Sequence, residues 1–203
     1  MFYEVFGFSA FALAASATPG PNNLLLTGLG ASVGLRRGLP VLFGIAFGFA
    51  IMILIVSLGF GPLVNSADSI LIVAMRLVGI LIITWMAWQI ATSSVPDGDA
   101  LTDAPQNNLR VTGFFGAAMF QWVNPKAWLI CASAIAAYID ATSQILPQAL
   151  VLAFTFIVTS IIGCLPWLAA GALVGRYLTG LRARIFNAVM ALLLIVSMLP
   201  ALI

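Results

Sequence analysis

Two short polar motifs that could bind a small solute interrupt long apolar runs of this chain. The first is Thr18–Asn23, with the sequence TPGPNN, and the second is Gln121–Lys126, with the sequence QWVNPK. A proline removes a backbone hydrogen bond and disfavours the helical conformation of the residue before it. We therefore predict that a helix breaks at each motif and that backbone polar groups are freed there.

The backbone freed by the first motif could hold an anionic group. Amides at the start of a helix and the positive end of its dipole attract a carboxylate. Pro21, in the first turn, loses nothing by lacking an N–H group. The side chains of Asn22 and Asn23 offer both donors and acceptors, so they either cap freed backbone or contact a ligand.

Lys126 carries a charge deep inside a predicted apolar segment, where no Asp or Glu is predicted to pair with it. A charge at such depth is costly, so these residues usually face a cavity or a partner. We expect its ammonium to bind carbonyls freed near Pro125 or the carboxylate of a ligand. The alternative is a lysine that only caps those carbonyls. The carbonyls freed before Pro19 and near Asn124 are then expected to accept from a substrate ammonium group.

Composition places both motifs in a membrane protein. Of the 203 residues, 63% are hydrophobic and only 7% are charged, and the mean hydropathy is +1.15. Soluble domains carry about 25% charged residues, so this chain could not cover a water-facing surface. The net charge of +2, without a basic cluster, argues against nucleic acid. Since the chain has no His, no phosphate-binding loop and no CxxC, we predict neither an enzyme nor a cofactor or metal site.

The apolar runs predict an all-α polytopic membrane protein with six transmembrane helices in a single domain, 1–203. The segments are Phe2–Val33, Leu39–Val64, Ile70–Ala91, Val111–Tyr138, Gln148–Leu173 and Ile185–Ile203. A polar loop, 92–110, separates a first repeat, 1–91, from a second, 111–203. Because each repeat has three crossings, the second inserts in the opposite orientation.

The interrupted segments, the first and the fourth, open the two repeats. Broken helices in matching positions are typical of a 3+3 inverted repeat whose substrate site lies near the midplane. The predicted substrate-binding residues are Pro19, Gly20, Pro21, Asn22, Asn23, Gln121, Asn124, Pro125 and Lys126.

Basic residues set the predicted orientation. The loops after the first, third and fifth helices carry Arg36, Arg37, Arg110, Arg176, Arg182 and Arg184, whereas those after the second and fourth carry no Lys or Arg. The positive-inside rule places the odd-numbered loops in the cytoplasm. Both termini are then periplasmic or external.

Several runs together resemble the LysE/RhtB family of amino-acid exporters. They are Thr18–Leu24, Gly34–Gly38, Gly44–Gly48, Trp85–Ala91 and Gln121–Ala127, and they occur in the family's order over nearly the whole chain. The resemblance implies an inner-membrane protein that exports amino acids or close derivatives by secondary transport driven by proton exchange. Its partners would be the amino-acid substrate and the lipid bilayer, and a homo-oligomer is left open.

One position departs from that pattern. Many members carry Asp directly after the second glycine of GxxxG, where this chain has Phe49. The change removes a candidate proton or cation site and disfavours cationic substrates. The local pattern is most similar to exporters of cysteine and O-acetylserine, so small neutral substrates are expected. Two alternatives remain. A metal-ion exporter would need His or acidic ligands in the core, and the predicted core has none. A thiol–disulfide carrier would need a cysteine in each half, whereas Cys131 and Cys164 both lie in the second half.

Overall fold

The computed structural model describes residues 2–60, 113–140 and 142–196, together with positions 81, 84, 87, 88, 91 and 92. All regular elements in these ranges are helical, which confirms the predicted all-α class there. The polar loop after Thr92 and most of the predicted third helix lie outside the described residues. The six crossings and the 3+3 repeat therefore remain predictions.

The helices with described boundaries number seven in these ranges. They are α1 (Phe2–Ala17), α2 (Pro21–Val33), α3 (Leu35–Ile55), α4 (Phe114–Phe120), α5 (Pro125–Tyr138), α6 (Ile145–Gly175) and α7 (Gly180–Val196). A π-helical turn over Val56–Phe60 continues α3. The predicted second, fifth and sixth segments correspond to α3, α6 and α7, each of which begins three to five residues before its predicted start.

Both predicted helix breaks are present. The first predicted segment consists of α1 and α2, and the fourth contains α4 and α5. Gly20 and Asn124, which precede the two second halves, both have extended backbone. Pro21 and Pro125 then occupy the first helical position, where the missing N–H group is not needed. A proline at the first position of the second half-helix therefore accounts for both breaks.

Among the residues that the structure describes, two helices are long and apolar enough to cross a membrane, namely Leu35–Gly59 and Ile145–Gly175. At 1.5 Å per residue, α6 is about 46 Å long. Large apolar side chains are exposed along its whole length: Leu146, Leu150, Phe154, Val158, Ile162 and Leu173. Such a continuous apolar surface is typical of contact with lipid or with another protein.

Helix α6 packs along α1, α2 and α3. Its contact with α2 is close because Gly171 faces the backbone of Thr27 and Gly175 faces that of Ala31. Gly48 of α3 likewise lies against the backbone of Ala118, as small residues at helix interfaces allow. These close crossings bring the broken helices alongside the two long ones.

Two apolar clusters occupy opposite ends of this bundle. One contains Leu25, Leu29, Leu42, Ile45 and Leu168, and the other contains Phe8, Phe49, Met52, Cys131 and Phe156. Along α3 the first cluster precedes the second, whereas along α6 the order is reversed. The two helix breaks lie between the clusters, so a polar layer separates two apolar ends.

Candidate functional site

The two helix breaks meet through their side-chain amides. Asn22 Nδ2 donates to Gln121 Oε1 at 3.0 Å, and Gln121 Nε2 donates back to Asn22 Oδ1 at 3.2 Å. Asn124 Nδ2 lies 3.4 Å from the same Asn22 oxygen. Three residues predicted separately from two distant motifs thus form one hydrogen-bonded group.

Lys126 links the same two breaks through its charge. Its Nζ donates to the carbonyl of Thr18 at 2.8 Å and to that of Pro19 at 3.3 Å. The approach depends on Gly20, because a Cβ there would lie 2.9 Å from both Cδ and Nζ of the lysine. An ammonium group has three N–H donors. Two are used here, and the third can reach a ligand.

These partners differ from the sequence-based expectation, which placed the lysine on carbonyls freed near Pro125. The carbonyl of Asn124 instead accepts from the amides of Ala127 and Trp128, as in a regular first turn. The carbonyls available to Lys126 belong to the other broken helix. The lysine therefore caps freed backbone, as the alternative stated, but it does so across the bundle.

The carbonyls freed at the end of α1 are already in use. Asn23 Nδ2 donates to the carbonyls of Ser16 at 2.7 Å and Thr18 at 2.9 Å. Trp167 Nε1 donates to the carbonyl of Ala17 at 3.0 Å. Since Thr18 also accepts from Lys126, both of its lone pairs are occupied. In this conformation these carbonyls accept from protein donors, so their binding of a substrate ammonium group stays a prediction.

The two second half-helices start differently. At the start of α5, Asn124 Oδ1 accepts from the Lys126 amide at 3.1 Å and caps the helix. At the start of α2, the corresponding residue is Gly20, which supplies no side-chain cap. The first-turn amides of Asn22 and Asn23 have no acceptor within their helix. This end of α2 can therefore attract a carboxylate.

A small cavity of about 30 Å³ lies against both breaks. Its walls include Ser16, Gly20, Asn22, Asn23, Phe49, Asn124, Lys126, Phe156, Ser160 and Cys164. Phe49 and Ser160 lie near the middle of the two long apolar helices, so the cavity is at mid-height in both. It has room for only one or two water molecules. This volume is smaller than an amino acid.

Two buried polar atoms at this cavity have no hydrogen-bond partner within the described part of the chain. They are Ser16 Oγ and Asn23 Oδ1, on side chains that are 8% and 2% exposed. Leaving such a group unpaired costs about 1–3 kcal/mol. Native proteins hold few groups of this kind, and each calls for an explanation such as a water or a ligand.

The predicted residues come together, although they do not all line the cavity. Gly20, Asn22, Asn23, Asn124 and Lys126 line it. Pro19 contributes its carbonyl to Lys126, while Pro21 and Pro125 start the second half-helices. Gln121 is fully buried behind Asn22 and also donates to the carbonyl of Ala117 at 3.0 Å.

The part of the cavity that α1 and α6 supply was not predicted from the sequence. Ser160 and Cys164 lie four positions apart, and their Oγ and Sγ atoms are 3.9 Å apart. Cys164 is buried, and its Sγ donates to the carbonyl of Ser16 at 3.6 Å. Polar or thiol side chains at i and i+4 in the middle of a long apolar helix share one face. That spacing was the available signal.

Aromatic rings close one side of the cavity. Phe49 of α3 and Phe156 of α6 stack with ring centroids 3.8 Å apart and planes inclined by 10°. Both belong to the apolar cluster at the α1 N-terminal end of the bundle. Phe49, which stands where the family resemblance implies Asp, therefore lies in the cavity wall.

Comparisons with known proteins agree on one family. The profile described as "LysE type translocator" matches residues 13–199. The cysteine/O-acetylserine efflux protein of Salmonella typhimurium is 30% identical over 188 residues, which cover 93% of this chain and 92% of that protein. Proteins of the same name from Klebsiella pneumoniae and Escherichia coli O6:K15:H31 are each 31% identical, over 93% of this chain and 91% and 92% of theirs. No solved structure matches this chain significantly.

Proposed function

Because this chain belongs to the LysE type translocator family, we propose that it exports small neutral amino acids or their derivatives across the inner membrane. Proteins of this family are transporters rather than enzymes, and the apolar helices fit a membrane-embedded protein. The relatives named for efflux of cysteine and O-acetylserine point to small substrates with a polar side chain.

One observation carries the proposal: the Lys126 ammonium is held in the cavity wall by carbonyls of the opposite broken helix. Its third N–H donor and the uncapped amides of Asn22 and Asn23 would converge on the substrate carboxylate. Charge-assisted hydrogen bonds of this kind are about twice as strong as neutral ones. The binding site would thus consist of both breaks together, near the membrane midplane.

The distribution of acidic residues favours a neutral substrate side chain. All six acids, Glu4, Asp68, Asp97, Asp99, Asp103 and Asp140, lie near or beyond the ends of the proposed spans. A cationic side chain would enter a low-dielectric site without a counter-charge, which is costly. Overexpression should therefore protect cells against excess neutral amino acids more than against lysine or arginine.

Transport would proceed by alternating access, with proton exchange as the driving force that the family resemblance implies. The two apolar clusters lie on either side of the helix breaks along the bundle, and each would separate in turn. A pH gradient imposed on proteoliposomes should drive accumulation of the substrate, and an uncoupler should abolish it. Accumulation that persists without the gradient would contradict proton coupling.

The decisive test replaces Lys126 by Met, which keeps length and apolar bulk but removes the charge. Cells are loaded with a panel of dipeptides, and the amino acids that appear outside are measured. We expect normal membrane insertion and loss of export for Lys126→Met, while Arg184→Met, at an exposed position, exports normally. Wild-type export by Lys126→Met would refute the proposed site.

A further inference from the structure

The unpaired atoms Ser16 Oγ and Asn23 Oδ1 belong to one small region of the cavity wall. Asn23 Nδ2 bonds to the Ser16 carbonyl at 2.7 Å, so the two side chains are neighbours. Both residues line the cavity, and both unpaired atoms are buried. Other serines in the helices, such as Ser9 and Ser32, donate to the carbonyl four residues earlier. Ser16 does not, although that bond is the common one for a helical serine.

The chemistry of these atoms defines the group that they can bind. An amide oxygen accepts hydrogen bonds and cannot donate them. The orientation of the Asn23 amide is fixed, because its nitrogen donates to the carbonyls of Ser16 and Thr18. Its oxygen therefore requires a donor, and the neighbouring Ser16 hydroxyl can accept from the same donor. A substrate ammonium group, with several N–H bonds, satisfies both.

The position of this pair relative to Lys126 also fits an amino acid. Asn23 Nδ2 and Lys126 Nζ both donate to the carbonyl of Thr18, at 2.9 and 2.8 Å. The cation and the unpaired acceptors are thus only two hydrogen bonds apart. In an α-amino acid, the carboxylate and the ammonium group are attached to one carbon, which requires two opposite subsites at such close range.

We propose that Ser16 and Asn23 form the subsite for the substrate ammonium group, next to the carboxylate subsite at Lys126. This inference rests on the proposed export of amino acids and adds the residues that select a free α-amino group. The subsite uses neutral acceptors, so it needs no buried acid. Selectivity for a zwitterion then follows from paired subsites rather than from an ion pair with the ammonium group.

The test separates the two ends of the substrate. Purified protein is reconstituted in proteoliposomes, and its exchange of labelled O-acetyl-L-serine or L-serine is measured at mildly acidic pH. The unlabelled competitors are the parent compound, N-acetyl-L-serine, whose ammonium group is blocked, and the methyl ester of the parent, whose carboxylate is blocked. The variants are Ser16→Ala and a matched control, Ser9→Ala, which removes a serine hydroxyl from the same helix outside the cavity.

We expect the wild type to bind each blocked competitor about tenfold more weakly than the parent. Ser16→Ala should weaken binding of the parent by about tenfold and remove most of its advantage over N-acetyl-L-serine, while the penalty for the ester stays. Thermal stability in detergent should not fall, since no protein hydrogen bond of the Ser16 hydroxyl is lost in the described structure. Ser9→Ala should leave both penalties unchanged.

A Ser16→Ala variant that still rejects N-acetyl-L-serine as the wild type does would overturn the inference and indicate that only a buried water occupies this pair. A Ser16→Ala variant with reduced thermal stability and unchanged selectivity would do the same, because the hydroxyl would then be structural. If the wild type exchanges neither substrate, the proposed function itself fails. If the wild type exchanges both substrates and the Lys126→Met variant loses only the ester penalty, the two subsites act separately, as the inference requires.

Discussion

The side chains of Asn22 and Gln121, 99 positions apart in the sequence, donate to and accept from each other across the two helix breaks. A two-way pair of this kind needs a donor and an acceptor on both sides, which only amides provide here. Gln121 is fully buried, so it cannot exchange a lost partner for bulk solvent. The pair thus holds one break against the other.

The strength of this link can be measured with Asn22→Ala, Gln121→Ala and the double variant. Each single change should lower the free energy of unfolding in detergent by about 1–3 kcal/mol, because Asn22→Ala leaves the buried Gln121 amide without this partner and Gln121→Ala removes a buried side chain with its hydrogen bonds. The double variant should cost less than the two singles combined, with a coupling of about 1 kcal/mol. Strictly additive effects would mean that the two amides do not stabilise each other.

Gly20 is expected to be essential for a steric reason. A Cβ at this position would lie 2.9 Å from Lys126 Nζ, so Gly20→Ala should push the ammonium away from the carbonyls of Thr18 and Pro19. Export should fall several-fold with little change in the amount of protein inserted in the membrane. Gly113→Ala is the control, because no described atom lies within 4 Å of a Cβ there. Equal export by the two variants would show that the lysine can move without consequence.

The sequence was sufficient to predict the breaks but not the partners of their polar groups. Proline acts on its own helix, so Pro21 and Pro125 mark the starts of α2 and α5 directly. Lys126 binds carbonyls 107 and 108 positions away, and this contact depends on how the broken helices pack. Proximity in sequence predicted that Lys126 binds carbonyls of its own helix break near Pro125. In the tertiary structure it binds carbonyls of the first helix break.

The missed residues have a similar explanation. Ser16, Ser160 and Cys164 are small side chains in helices, and such residues are also common wherever helices simply pack closely. Their role at the cavity becomes visible only when α1 and α6 are placed side by side. The start of α3 was predicted a few residues late. Gly34, with a φ of 82°, turns the chain in a single residue, so α3 begins directly at Leu35.

The Phe49–Phe156 stack is expected to limit the size of the substrate. Phe49→Leu keeps most of the buried apolar surface but removes the ring that closes one side of the cavity. Bulky neutral amino acids such as leucine and methionine should then compete several-fold better in the exchange assay, while serine competes as before. Phe47→Leu, on a residue that is 40% exposed, is the matched control. Unchanged selectivity in Phe49→Leu would place the size limit elsewhere.

The described arginines lie at one end of the bundle. Gly175, at the end of α6, packs against Ala31 near the end of α2, so the connections that follow these two helices are neighbours. Those connections and the helix starts after them carry Arg36, Arg37, Arg176, Arg182 and Arg184, all of them exposed. The opposite connection, from α5 to α6, contains Asp140 and no basic residue. This asymmetry supports the proposed orientation with this end in the cytoplasm.

Reporter fusions can decide that orientation. A fusion at Thr179, beside the arginines, should be active only as a cytoplasmic reporter, and so should one at Asp99 in the polar loop. A fusion at Asn65 should be active only as an external reporter. Since positive charge sets the orientation, replacing Arg36 and Arg37 by neutral residues should make the Thr179 fusion report a mixture of both sides. External activity at Thr179 and Asp99 in the unchanged chain would reverse the proposed topology.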